Sequence, residues 1–418
     1  MRTSESALFT DLYQLTMMQA YLEEDLLDEA VFTLFVRRLP ANRNYLLACG
    51  LDGVLDYLQG LEFKPADLEY LGSIGTFSTR FLEWLAQFRF QGEVRAVPEG
   101  TPVFANEPIL EVVAPLPAAQ LVETMVMNQI HAQTLLASKA VRVVEAAAGR
   151  GVVDFGMRRM HGTDAAVKAA RAFHIAGVAA TSNVLAGQHY GLPVAGTMAH
   201  SYIQAHEDEA DAFEAFVGRY PDTLLLVDTY DTLAGVDKVV DLAAKLGERF
   251  RVRAVRLDSG DLAKLAGQTR KRLDAADLKD VEVFASSSLD EYAIAELVAS
   301  GAPIDGFGVG TRMGVSADAP DLDIVYKLSE YAGIGRMKLA AGKPILPGRK
   351  QIFRREARGE LLGDTIARAD EQLDGRPLLE IVMQAGRRTD TSHVELNEVR
   401  RYAAREIGKL APVIRDIA

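Results

Sequence analysis

Apolar side chains recur at near-helical spacing over residues 8–24, at Leu8, Leu12, Leu15, Met18, Tyr21 and Leu22. That spacing predicts an amphipathic helix. The run Val31 to Val36 reads as a strand, and short β-like runs follow between Gly92 and Pro115: EVRAV, PVF and ILEVV, separated by PEG, NEP and AP. Turn residues between β-branched runs predict a small antiparallel sheet. From Pro117 to about Gly149 the pattern predicts one long helix, with Leu121, Met125, Ile130, Leu135, Val143 and Val144 roughly along a stripe.

The pattern then changes. Short apolar runs alternate with helical stretches: VVDFG (152–156), PVAGT (193–197), TLLLVDT (223–229), RAVRLDS (253–259), VEVFASS (281–287), GFGVGT (306–311) and, more weakly, IVYKL (324–328). Strand and helix in alternation predict parallel pairing through crossover helices. Strands that are nearly all apolar predict a sheet covered on both faces. Six or seven such units suit a barrel better than a short open sheet. Beyond about residue 330 the chain turns basic and loop-rich, as in KLAAGKPILPGRKQIFR (338–354), and the tail is polar with moderate helix potential.

Composition narrows the function classes. The 418 residues carry 46 Lys and Arg against 58 Asp and Glu, a net charge of −12, which argues against a general nucleic-acid binder. Small anions remain compatible, because a few local cations outweigh a distant field. A single cysteine, Cys49, permits neither an intrachain disulfide nor a cysteine-based zinc site and fits a reducing cytoplasm. The opening MRTSESALFTDLYQ has neither the basic segment nor the apolar core of a signal peptide, and no run approaches a membrane span, so a cytoplasmic location is expected.

The unusual polar clusters DFGMRR, GTMAHSY, DTYDT, RLDSGD, ASSS and GVGT each follow a predicted strand. Loops at the carboxyl ends of barrel strands converge on one face, where such barrels carry their site. GVGT, with Ser286, Ser287 and Ser288 one unit earlier, offers glycines and hydroxyls for a phosphate, or glycines used for turns alone. Arg256 and Asp258 either hold an anion and a sugar diol or form an internal ion pair, with Ser259 or Asp261 capping the next helix. Asp228 and Asp231 carry the same two readings, ligand contact or cap. His200 is a candidate base, nucleophile or ligand, and its six-residue separation from His206 disfavours a helical metal pair. Arg158 and Arg159 either bind an anion or pair with the excess acids, and Phe155 either stacks on a planar ring or fills the core.

Seven segments, FTDLYQLTMMQAY (9–21), DFGMRR (154–159), GTMAHS (196–201), LVDTYDT (226–232), RLDSGDL (256–262), FGVGT (307–311) and PGRKQIFR (347–354), together resemble the nicotinate phosphoribosyltransferase family, in that family's order. The resemblance implies an irregular parallel α/β barrel of the type II phosphoribosyltransferase kind, with a second α+β domain built from both chain ends. The expected division is 1–116 plus 330–418 for that domain and 117–329 for the catalytic barrel. It implies formation of nicotinate mononucleotide and pyrophosphate from nicotinate and phosphoribosyl pyrophosphate, coupled to ATP hydrolysis through a phosphohistidine. Mg²⁺ is expected with the phosphate substrates, without a tightly bound organic cofactor, in a homodimer with interfacial sites.

By the same resemblance His200 is the phosphorylated histidine, Asp258 holds the ribose hydroxyls, and Asp228 lies near the ring and His200. Phe155 and Tyr13 are the two stacking rings, Tyr13 supplied by the other subunit. Arg256 and Thr197 are nicotinate-site groups, Arg158 a substrate-site arginine, and Gly308, Gly310 and Thr311 match the 5′-phosphate loop; Ser287 is a candidate substrate contact from its strand-end position alone. Ser182 stands where nicotinamide-using relatives carry Asp, and a neutral side chain there tolerates a carboxylate. Ala340 stands where the family's basic stretch often has Ser, and the long insertions of larger members are lacking. The competing expectations are a nicotinamide-using enzyme and a non-catalytic homologue that binds a phosphoribosyl ligand.

Overall fold

The apolar runs of the middle of the chain pair as one six-stranded sheet, in the order Ala180–Thr181, Gly151–Asp154, Gly306–Val309, Glu282–Ser286, Ala254–Leu257 and Leu224–Leu226. Every neighbouring pair is parallel. Parallel pairing needs long crossovers, and the helices Thr163–Ile175, Thr232–Leu246, Leu262–Ala275 and Glu291–Ala299 provide them. Leu225, Val255, Val283 and Phe307 are fully buried, as expected of a sheet covered on both faces. This is an irregular parallel α/β barrel with an open wall: the edge strands Ala180–Thr181 and Leu224–Leu226 do not pair with each other among the described residues.

The structure is a computed structural model that describes residues 6–339 and 345–417, so Ala340 lies outside the described residues. The chain separates into two units. A terminal unit runs to Ser138 and resumes at Asp321, whereas the barrel unit spans Lys139–Pro320 with Ile417. The first boundary therefore falls inside the helix Glu123–Ala146 and not at residue 117. Val126, Ile130 and Leu135, from the first half of that helix, belong to the core of the terminal unit, which explains the placement.

Both chain ends build the terminal unit. Its antiparallel seven-stranded sheet has the order Ile334–Gly335, Ile324–Tyr331, Glu29–Val36, Leu110–Pro115, Glu93–Ala96, Glu380–Gln384 and Arg387–Arg388. The register pairs Leu34 with Tyr326 on one side and with Leu110 on the other. Within this unit's core, Phe32 and Tyr326 stack with ring centroids 4.9 Å apart.

Several elements differ from the pattern-based expectation. PVAGT is not a strand; it contributes one parallel bridge, Val194 to Thr181. Pro193 lacks an N–H and Gly196 lacks a side chain to pack, so this run cannot sustain a ladder. IVYKL is a strand, but of the antiparallel sheet in the terminal unit. The single helix expected over 117–149 is two, Leu116–Leu121 and Glu123–Ala146. Val122, the turn residue between them, keeps right-handed helical angles. The tail is richer in strands than expected, with Lys350–Ala357 paired to Glu360–Arg368. Charged residues break up the apolar alternation there and conceal it, and two of them are buried: Arg354 pairs with Asp364 at 2.6 Å, and Lys350 donates to Thr33 at 3.0 Å.

Candidate active site

Each strand of the parallel sheet delivers at least one candidate residue at its carboxyl end. Asp228 follows Leu224–Leu226, Asp258 follows Ala254–Leu257, and Ser287 follows Glu282–Ser286. Gly310 and Thr311 follow Gly306–Val309, Phe155 follows Gly151–Asp154, and Ser182 follows Ala180–Thr181. Thr197 and His200 lie just past the Val194 bridge. Parallel strands point their carboxyl ends the same way, so residues more than 20 apart in sequence meet on one face.

A cleft of about 270 Å³ opens on that face, lined by Phe155, Arg158, Arg159, Arg256, Asp258, Ser286, Ser287, Ser288, Gly308, Gly310, Thr311 and Arg312. Arg256 is its organising cation. Its Nε donates to Ser286 Oγ at 2.8 Å, Nη1 to Thr197 Oγ1 at 3.0 Å, and Nη2 to Asp258 Oδ1 at 3.0 Å. The guanidinium carbon lies 5.3 Å from the centre of the Phe155 ring. Cation and ring therefore form one corner, suited to a planar aromatic acid.

Asp258 is the second hub. Partial burial raises its pKa, but hydrogen bonds from Ser286 and Arg256, and the charges of Arg256 and His200, outweigh that and hold it below the usual carboxylate range. The ion pair between Arg256 and Asp258 read as one alternative from the sequence is real, and it sits inside the cleft. His200 begins a short helix, His200–Gln204, with Nε2 3.8 Å from Asp258 Oδ2 and Nδ1 3.1 Å from Thr229 Oγ1. Asp228 Oδ2 accepts the Asp258 backbone N–H at 2.9 Å and the Ser259 hydroxyl at 2.5 Å, while its Oδ1 is buried without a partner among the described residues.

The two readings of the aspartates thus separate. Asp231 and Asp261 are helix caps, accepting from the backbone of Ala234 and Lys264, whereas Asp228 and Asp258 face the site cluster. Thr197 reaches the cleft through Arg256, and Ser182 borders the turn beside Phe155, its N–H bonded to the Asp154 carbonyl at 2.9 Å. Tyr13 is in the terminal unit, where it lines a surface pocket with Asp11, Glu123 and His131; burial and the Glu123 charge push its phenol up.

Sequence reasoning missed two contributors, Thr229 and Asp154, and gave a third, Ser286, only a phosphate-binding reading. Ser286, expected among the phosphate hydroxyls, instead bridges Arg256 and Asp258. Thr229 holds His200, and Asp154, fully buried and adjacent to Phe155 in the chain, has its pKa raised by burial. Gly308 also has a reason beyond a phosphate: a Cβ there would sit 2.5 Å from the Phe155 ring. Ser287 is held at φ +126°, a strained backbone for a residue with a side chain, on the wall of the cleft. Among the described residues no cluster of three or more metal-ligating side chains forms.

Family models match both parts of the chain: the N-terminal domain of nicotinate phosphoribosyltransferase over residues 8–131, and the nicotinate phosphoribosyltransferase family over residues 151–359. The chain belongs to the nicotinate phosphoribosyltransferase family. A nicotinate phosphoribosyltransferase of Mycobacterium tuberculosis is 55% identical over 416 residues, covering 100% of this chain and 90% of that protein. One from Bacillus subtilis is 41% identical over 383 residues, 89% of this chain and 78% of that protein. The crystal structure of human nicotinic acid phosphoribosyltransferase superposes with a TM-score of 0.87 at 29% identity, covering 98% of this chain and 95% of that one. In this nicotinate phosphoribosyltransferase-family chain the cleft lies within residues 155–312, entirely inside the segment matched by the family's main model.

Proposed function

We propose that this chain transfers the phosphoribosyl group of phosphoribosyl pyrophosphate to the ring nitrogen of nicotinate, in NAD biosynthesis or salvage, with ATP hydrolysis coupled through phosphorylation of His200. The observation that carries this reading is the corner of Arg256 and Phe155 beside Asp258 and His200, in a cleft that runs to the Gly310–Thr311 turn.

The chemistry follows from charge. Four hydrogen bonds commit the Arg256 fork to Ser286, Thr197, Met198 and Asp258, and leave one of its five donors for a carboxylate. With the nicotinate ring on Phe155, the pyridine lone pair faces the ribose, whose hydroxyls Asp258 accepts. The new bond to the anomeric carbon forms as the bond from that carbon to pyrophosphate oxygen breaks, its electron pair leaving with pyrophosphate. The anionic carboxylates of Asp258 and Asp228 stabilise the oxocarbenium-like ribose, and Arg158, Arg159 and Arg312 stabilise the phosphates. Mg²⁺, held by the phosphate oxygens of the substrates, would offset their charge. In the coupled step a His200 ring nitrogen attacks the γ-phosphorus of ATP, ADP departs, and water later hydrolyses the N–P bond. Positioning and charge do the work here, since the pyridine nitrogen needs no base.

A product assay tests the reading. Purified protein with phosphoribosyl pyrophosphate, Mg²⁺ and ATP, offered nicotinate, nicotinamide or quinolinate separately, is expected to form mononucleotide from nicotinate with matching ADP. His200→Ala is expected to lose the acid-labile phosphate and the coupling. Product from nicotinamide alone would overturn the substrate assignment. No product in any tube, from folded protein, would leave a ligand-binding homologue. Ser182→Asp should lower the preference for nicotinate over nicotinamide, by placing a negative charge beside the substrate carboxylate. An unchanged preference would remove Ser182 from the specificity argument. Dimerisation, with Tyr13 reaching a partner's site, belongs to this proposal, as does a cytoplasmic location.

A further inference from the structure

Asp154 is completely buried at the carboxyl end of Gly151–Asp154, and none of the partners it shows is a cation. One oxygen accepts the Gly156 N–H at 2.8 Å, and the other accepts the Thr181 hydroxyl at 2.7 Å. The space behind it, bounded by Phe173, His174 and Leu192, is a cavity of about 10 Å³, room for one water at most. A carboxylate in such a place is costly to bury and needs a compensating role.

Its two bonds lead to two different turns. Gly156 belongs to the turn that carries Phe155 and Arg158 into the cleft. Thr181 Oγ1, while donating to Asp154, accepts the Asn183 N–H at 3.1 Å, and Asn183 caps the helix Val184–Tyr190 through Ala186. Ser182 lies between these two residues, and its own N–H binds the Asp154 carbonyl. We infer that Asp154 is the positioning residue of the pyridine site, one carboxylate that sets the ring-stacking turn and the Ser182 turn relative to each other. This rests on the proposed nicotinate reaction.

The two halves of the link are separable. In Asp154→Asn the amide oxygen still accepts from Gly156, but an NH₂ replaces the acceptor that Thr181 needs. Thr181→Val removes the same bond from the other side. Both variants are expected to raise the KM for nicotinate about tenfold, the effect of one hydrogen bond to a charged group. They should also erode the nicotinate preference, with the KM for phosphoribosyl pyrophosphate and the phosphorylation of His200 by ATP unchanged. The double variant should be no worse than either single one, because the two changes delete one interaction, and Thr181→Ser should behave as the parent.

Amide hydrogen exchange read directly on the folded proteins, free of any substrate, provides the independent test. Asp154→Ala should speed exchange at both Gly156 and Asn183, and Asp154→Asn at Asn183 alone. Faster exchange in this pattern supports the link even if nicotinate is not the substrate, whereas a parent protein inactive on nicotinate would overturn the reaction and not the link. Unaltered exchange at both amides, or single and double variants whose KM effects add, would overturn the inference. Equal loss of every activity together with a general fall in melting temperature would make Asp154 an ordinary core residue and overturn it as well.

Discussion

Arg256 is the residue on which the site geometry depends most. Three of its nitrogens are held by Ser286, Thr197 and Asp258, which fixes the plane of the guanidinium beside Phe155. An ammonium group is a point charge and cannot occupy those three directions at once. Arg256→Lys is therefore expected to lower kcat/KM for nicotinate by about 100-fold, from the loss of one or more charge-assisted bonds of about 1.5–3 kcal/mol each. Steady-state kinetics at fixed phosphoribosyl pyrophosphate would measure it, and a variant within threefold of the parent would exclude Arg256 from substrate binding. From the sequence Arg256 and Asp258 were open between ligand contact and ion pair. The structure has the pair, located in the cleft, so the two readings are not exclusive.

At the scale of elements, the spacing of parallel strands leaves little room between Gly306–Val309 and Gly151–Asp154. Gly308 pairs with Val153, and its missing side chain is the space into which Phe155 leans. A methyl group at 308 would lie 2.5 and 2.6 Å from ring carbons of Phe155 and 3.0 Å from Phe284. Gly308→Ala is expected to cost about 1–3 kcal/mol of stability by overpacking, and to raise the KM for nicotinate as the ring is displaced. Chemical denaturation and kinetics on one preparation test both, and an unaltered KM would mean that ring position is irrelevant to binding. GVGT was legible as a turn motif in the sequence. Its contact with a ring 153 positions earlier was not, because only strand pairing creates it.

At the scale of the whole molecule, stability holds a titratable element outside the cleft. In the terminal unit the buried Arg354 faces Asp364 at 2.6 Å and Glu406 at 3.6 Å, and Glu107 adds a third acid. Burial first, and then the Asp364 charge, push Glu107 up to about 8. Unfolded, the same group titrates near 4.3. Between those values the folded state holds a proton that the unfolded state has released, so stability falls as pH rises from about 4.5 to about 8 and then levels off. Glu107→Gln should flatten that slope in melting temperature against pH. If the parent and the variant keep parallel pH profiles, Glu107 is ionised in the fold.

The sequence by itself determined the class of the molecule and marked the strand-end clusters that line the cleft. Alternating apolar runs and helices specify parallel strands because burial on both faces demands continuous apolar residues, and the polar clusters at the strand ends mark where chemistry collects. Short-range rules fixed the caps at Asp231 and Asp261 as one of two readings. Only the tertiary structure decided which aspartates cap helices and which face the site, that IVYKL leaves the barrel, that PVAGT pairs at one residue, and that Asp154 joins two turns 25 residues apart. Apart from the caps, which are local, these are long-range pairings. Local pattern reports which face of an element is apolar, but the partner that covers it is chosen by strand order and register, which no window of neighbouring residues contains.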